Sequence, residues 1–157
     1  MTIKLICIGK TDNKALELLM TDYIKRLSFY TRFELEVIPD LKKAKNLSET
    51  EQKQKEGELI LSKISTSDVL ILLDENGQQY SSEHFADYLQ KHMNSGIKNL
   101  VFVIGGPYGF SEMVYQKCSG KVSLSKMTFS HQMIRLFFIE QLYRAHTILK
   151  NEPYHHR

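Results

Sequence analysis

Leu100-Val101-Phe102-Val103-Ile104-Gly105-Gly106-Pro107-Tyr108-Gly109 is an apolar run that empties into a glycine-rich turn. The run reads as a strand, and the turn as the place where that strand gives way to a ligand or to the next helix. Gly105 and Gly106 can take positive φ and let a ligand approach bare backbone, while Pro107 stiffens the turn. The glycine spacing is not GxGxxG, and no GxxxxGK[ST] occurs in the chain, so a conventional nucleotide-phosphate loop is disfavoured. Taken alone, a tight strand-to-helix turn explains these residues at least as well as a ligand loop.

Working outward, strands and helices alternate. Ile3 to Ile8 is a β-branched run ended by Gly9, and Leu16, Leu19, Met20, Tyr23 and Leu27 follow at helical spacing. Phe33, Leu35 and Val37 alternate with Glu34 and Glu36 as a half-buried strand stopped by Pro39. After the basic loop 40–47, Ser48 and Glu51 have capping-box spacing and open a helix to about Ile64. Val69 to Leu73 is a third strand ending in the turn-forming cluster Asp74-Glu75-Asn76-Gly77. Ser81 or Ser82 caps a helix to about Gly96, and the run at 100–104 follows. A short helix around 111–117, a strand at 121–125 and a long helix from about Ser130 to Leu149 complete the pattern, before Pro153. This is a single-domain α/β fold, residues 1–157, with a mainly parallel sheet.

Ligands in such sheets gather beyond the carboxyl ends of strands. Three of those ends carry polar or glycine-rich turns: 74–77, 105–109 and 125–130. The stretch Leu124-Ser125-Lys126-Met127-Thr128-Phe129 offers backbone hydrogen-bonding groups beside apolar walls, a mix that suits an adenine ring. The same residues also suit a plain connection with its apolar side chains in the core. His131 and Arg135 lie four residues apart on one helix face, where the imidazole can accept a proton and the guanidinium can hold a phosphate. For a lone histidine, a structural contact at the helix start is the stronger reading. Glu140 and Arg144 repeat the spacing as an ion pair. Leu136, Phe137, Ile139, Leu142 and Ile148 give the last helix more apolar surface than one face needs, which a partner subunit can cover. Tyr154, His155 and His156 supply stacking and proton-transfer chemistry after Pro153.

The 157 residues are 42% apolar and 25% charged, an ordinary globular composition. No apolar stretch is long enough to span a bilayer, the first residues lack a signal-peptide layout, and Cys7 and Cys118 form no metal or redox motif. A cytoplasmic protein without a metal is expected. The net charge of +3 is uneven: residues 1–80 carry twelve Lys/Arg against thirteen Asp/Glu, residues 81–157 nine against five, with all six histidines. A polyanion approaching the second half is plausible, although such charge density commonly belongs to a solvated face.

With these residues in view, the chain closely resembles the small SPOUT-superfamily methyltransferases that modify pseudouridine in bacterial large-subunit ribosomal RNA. The resemblance rests on Phe102-Val103-Ile104-Gly105-Gly106-Pro107, Leu124 to Phe129, His131, Arg135, Glu140-Gln141-Leu142-Tyr143-Arg144-Ala145 and Pro153-Tyr154-His155. Tyr23 to Leu27 and Lys55-Glu56-Gly57 add to it. Ser130 stands where that family usually has proline; serine is a good N-cap, so the helix start is expected to survive. The resemblance implies S-adenosylmethionine as donor and N3 of a pseudouridine in 23S rRNA of the assembled ribosome as acceptor. It also implies a C-terminal trefoil knot and a homodimer with the site near the subunit interface. By position, Leu73, Gly105, Leu124, Ser125, Lys126, Met127, Thr128 and Phe129 would hold the donor. His131 or His155 would assist proton removal, Tyr154 would act beside them, and Arg135 and Arg144 would hold the RNA backbone. Two other classes stay open on the residues alone: a non-catalytic ribosome-binding factor, and a flavodoxin-like nucleotide-binding enzyme.

Overall fold

A computed structural model, describing residues 1–156, turns this alternation into a parallel sheet covered on both faces. The strands are β1 (Thr2–Ile8), β2 (Arg32–Ile38), β3 (Val69–Gln79), β4 (Asn99–Ile104) and β5 (Gly120–Ser123). The helices are α1 (Lys14–Leu27), α2 (Glu49–Ser62), α3 (Ser82–Asn94), α4 (Glu112–Lys117) and α5 (Met133–Leu149). Sheet order is β2-β1-β4-β3-β5, and every pairing is parallel.

Each central strand feeds two cores, because successive side chains point to opposite faces. Ile3, Leu5 and Cys7 of β1 join Leu100, Phe102 and Ile104 of β4 beneath α1, α3 and α5. Ile6 and Ile8 join Val101 and Val103 against Ile60 of α2 and Val114 of α4. Cys7 is fully buried in the first of these cores as a small apolar residue. The alternation explains why β1 from Leu5 to Ile8 and β4 from Leu100 to Ile104 are apolar without interruption: neither stretch has a face toward water, whereas Lys4 of β1 is partly exposed and pairs with Glu34.

Local chemistry sets most helix starts. Asn13 accepts the Leu16 amide, Ser48 the Glu51 amide and Ser81 the His84 amide, each satisfying one orphan N–H. At the last helix Ser130 Oγ accepts the Met133 amide at 3.0 Å, so serine does cap this start. His131 and Gln132 form a turn before regular helix begins at Met133.

Two boundaries differ from the sequence reading. Asp74 to Gly77 does not end the third strand: β3 runs on to Gln79, with a register shift between Leu73 and Gln78 where it pairs β5. The turn-forming residues are absorbed as an irregularity within a paired strand, and Asp74 Oδ1 accepts the Asn76 amide locally. The fifth strand stops at Ser123, two residues early, because Ser123 Oγ turns to donate to the Ser125 carbonyl. Strand order also reverses beside β1: the chain leaves β1 for β2 on one side and reaches β4 on the other. The carboxyl ends of β1, β4, β3 and β5 therefore form one continuous rim.

Candidate active site

A cavity of about 580 Å³ opens on that rim, within the usual range for small-molecule sites. Its walls are the irregular stretch of β3 from Leu73 to Asn76, the glycine turn 104–110, and the segment after β5. Seven of the eight residues expected to hold a donor line it: Leu73, Gly105, Leu124, Ser125, Met127, Thr128 and Phe129. Lys126 does not. His131 and Ile134, at the start of the last helix, close one side.

The glycines serve a purpose other than the expected one. Only Gly109 in this turn has positive φ, at +79°. Gly105 and Gly106 are needed for space: a Cβ on Gly105 would lie 3.1 Å from the Phe110 ring, and one on Gly106 would lie 2.6 Å from both Glu56 carboxyl oxygens. The turn is pinned by the Gly109 amide donating to the Gly106 carbonyl at 3.1 Å. Across the cavity, the Met127 amide donates to Ser125 Oγ at 2.9 Å, shaping the segment after β5.

Asp74 and Glu75, read from the sequence as turn residues, are wall residues. Tyr115 donates its phenol proton to Asp74 Oδ2, and Thr128 Oγ1 reaches Glu75 Oε2 at 3.5 Å. Burial, then the bond to Asp74, raises the Tyr115 pKa, so this phenol stays a donor. Among the described residues neither lysine nor arginine lines the cavity, whereas two carboxylates do. Such a wall repels phosphates and favours a ligand carrying positive charge. The signal available in the sequence was that acidic pair at a strand end.

Arg135 corrects an expectation. Its side chain is 1% exposed, and its guanidinium is engaged by the protein: Nη2 donates to Ile8 O at 2.7 Å and Nη1 to Gly9 O at 2.8 Å. Nη1 also reaches Thr11 Oγ1 and Nε reaches His131 O. A guanidinium consumed in this way holds no RNA phosphate. It ties the start of the last helix to the end of β1, and so fixes the side of the cavity that His131 occupies.

The tail lies elsewhere. Tyr154 donates to Glu140 Oε1 at 2.8 Å and stands 3.2 Å from the Tyr23 hydroxyl. Arg144 pairs with the same Glu140 oxygen at 2.6 Å, as its spacing suggested, and contacts His155 Nδ1 at 3.1 Å. His155 lines a separate small cavity with Ile148, Asn151 and Glu152. Within one chain, then, His131 sits at the large cavity while Tyr154 and His155 do not. Arg157 falls outside the described residues. Beside the cavity, Met127 (77% exposed), Phe129, Met133 and Phe137 leave an apolar surface open to solvent.

Among the described residues no helix is long and apolar enough to cross a membrane, and no cluster of three or more His, Cys, Asp or Glu can hold a metal.

Comparison with known proteins fits this geometry. A family described as "Predicted SPOUT methyltransferase" matches residues 1–155. The chain is 72% identical over its full length, and that of the relative, to a Flavobacterium johnsoniae protein named ribosomal RNA large subunit methyltransferase H. It is 73% identical to the Flavobacterium psychrophilum protein of that name and 69% to the one from Christiangramia forsetii, again over all of both chains. Among solved structures, a probable methylase family protein from Haemophilus influenzae aligns with a TM-score of 0.54 at 12% identity, covering 99% of this chain and 70% of that one. That likeness concerns the fold.

Proposed function

The chain belongs to the SPOUT methyltransferase family, and we propose that it moves the methyl group of S-adenosylmethionine to N3 of a pseudouridine in 23S rRNA of the assembled ribosome. The observation that carries this reading is the chemistry of the cavity wall. Asp74 and Glu75 stand where a cation belongs, the backbone of Gly105 and Gly106 forms part of the wall, and Leu73, Leu124, Met127 and Phe129 offer apolar contact for a nucleoside. A nucleoside sulfonium fits that set of groups, whereas a nucleoside phosphate does not. The rRNA acceptor follows the names of the relatives.

When bound, S-adenosylmethionine supplies an electrophilic methyl carbon whose sulfonium becomes a neutral thioether on transfer. The protein's part is alignment and proton management. The 105–109 turn and the 124–129 segment orient the donor by backbone contact. The imide N3 must lose its proton as the new C–N bond forms, and His131, exposed at the cavity edge, or His155 accepts it. Tyr154 orients His155 through the shared Glu140–Arg144 pair.

Because His155 and Tyr154 lie outside the large cavity of their own chain, we place them at the cavity of a second copy in a homodimer. The solvent-exposed Met127, Phe129, Met133 and Phe137 beside that cavity support such an interface. The reading includes the knot, with the segment after β5 threaded before the last helix returns to the face of α1 and α3, and an action in the cytoplasm, where ribosomes are.

Two measurements test it. Calorimetry is expected to show S-adenosylmethionine binding to the protein alone; no heat at millimolar ligand contradicts it. Mass mapping of 23S rRNA from cells lacking the protein is expected to miss one methyl on a pseudouridine, and an unchanged modification map refutes the acceptor.

A further inference from the structure

The glycine turn rests on α2 through a reciprocal interlock. Glu56 and Gly57 of α2 face Gly106 and Ser111 of the turn. Each glycine receives the other side's polar group: the Glu56 carboxyl fills the space where a Gly106 Cβ would stand, and Ser111 Oγ lies 2.5 Å from where a Gly57 Cβ would stand. Both polar residues are buried, Glu56 at 3% exposure and Ser111 at 6%. Glu56 Oε1 and Ser111 Oγ have no hydrogen-bond partner, and Glu56 Oε2 receives only a long 3.4 Å contact from Gln52. Burial above all, with Asp40 adding to it, raises the Glu56 pKa against the lowering effect of Gln52.

Packing alone does not account for this arrangement. Buried polar oxygens without partners cost stability, and an apolar side chain of equal length would fill the same space more cheaply. What the polar pair adds is hydrogen-bonding capacity directly behind the backbone that walls the donor cavity.

We propose that Glu56, supported by Ser111, is a positioning residue for the methyl donor: its carboxyl, seated where a Gly106 Cβ would stand, offers hydrogen-bonding atoms to the backbone of the 105–111 turn from behind and keeps Gly105 and Gly106 at the cavity wall. It acts through the turn and touches neither donor nor RNA. The effect on donor binding rests on the cavity assignment made above; the effect on the turn does not.

The test compares Glu56→Met, which keeps length and removes polarity, with Glu56→Gln, which keeps both length and hydrogen-bonding capacity. Melting, amide hydrogen exchange of residues 105–111 without ligand, and S-adenosylmethionine affinity are measured for each. Glu56→Met is expected to melt at or above the wild-type temperature, yet to exchange the turn amides faster and bind the donor about tenfold more weakly. Glu56→Gln is expected to stay near wild type in all three. A Glu56→Met protein that exchanges and binds like wild type overturns the proposal, as does a Glu56→Gln protein equally impaired. If Glu56→Met does not fold, Ser111→Ala decides: faster exchange in the turn supports the brace, and unchanged exchange refutes it. Wild-type protein that binds no donor contradicts the cavity assignment, while the exchange measurement still decides the role of Glu56.

Discussion

Arg135 shows how far a residue's type can mislead about its work. Its spacing from His131 suits a phosphate clamp, but nothing in a one-dimensional pattern reveals that Ile8 and Gly9 bring two carbonyls to meet it across 126 residues of chain. Removing the side chain strands those carbonyls and leaves a cavity. Arg135→Ala is therefore expected to destabilise the fold by about 3–5 kcal/mol, read from the denaturant midpoint. A stable variant that merely binds RNA weakly would restore the phosphate reading. The glycines separate in the same way. Gly109→Ala meets open space but keeps a positive φ, so a loss of about 1 kcal/mol is expected with donor affinity little changed. Gly106→Ala drives a methyl group into the Glu56 carboxyl, so donor affinity is expected to fall at least tenfold. Calorimetry on the two variants checks the contrast.

At the scale of elements, what was legible was what is local. Caps at Ser48 and Ser81, the alternation of β2 and the apolar β4 all follow from residues within a few positions of each other. The extension of β3 through Asp74–Gly77 was not legible, since its partner is β5, about 45 residues on, and pairing overrides turn propensity. The last helix carries one further consequence. His146 is buried, its Nδ1–H donates to Leu142 O at 2.8 Å, and its Nε2 has no partner. Burial chiefly, then Lys150, lowers its pKa against the raising effect of the Leu142 bond. A histidine whose folded pKa lies below its unfolded one binds protons more readily when unfolded. Its stabilising effect is present above the unfolded value of about 6.5 and is lost as pH falls through that value toward the folded one. Urea midpoints are expected to fall from pH 7 to pH 5, less so in His146→Gln. Equal slopes for the two proteins exclude this histidine as the cause.

At the scale of the molecule, three walls of the cavity come from segments that are distant in sequence but share one end of a parallel sheet. That convergence was readable from strand ends. The tail's place was not, because Tyr154 and His155 are held by an aromatic and ionic cluster on α1 and α5 that only the folded chain assembles. If, as proposed, both act on the RNA base, their separation from the cavity requires a second copy of the chain. Mixing a His155→Ala protein with a Gly106→Ala protein is expected to recover activity in mixed dimers, because one site then combines an intact cavity with an intact tail. Two inactive proteins that stay inactive after subunit exchange would place the tail and cavity of each site in the same chain.

The assignment of the cavity is tested most directly by a crystal structure with S-adenosylmethionine. The donor is expected between the 105–109 turn and the 124–129 segment, its sulfonium on the side of Asp74 and Glu75 and its adenine against Leu124 and Phe129. A donor bound at another surface, or turned so that its carboxylate faces Asp74 and Glu75, would contradict it.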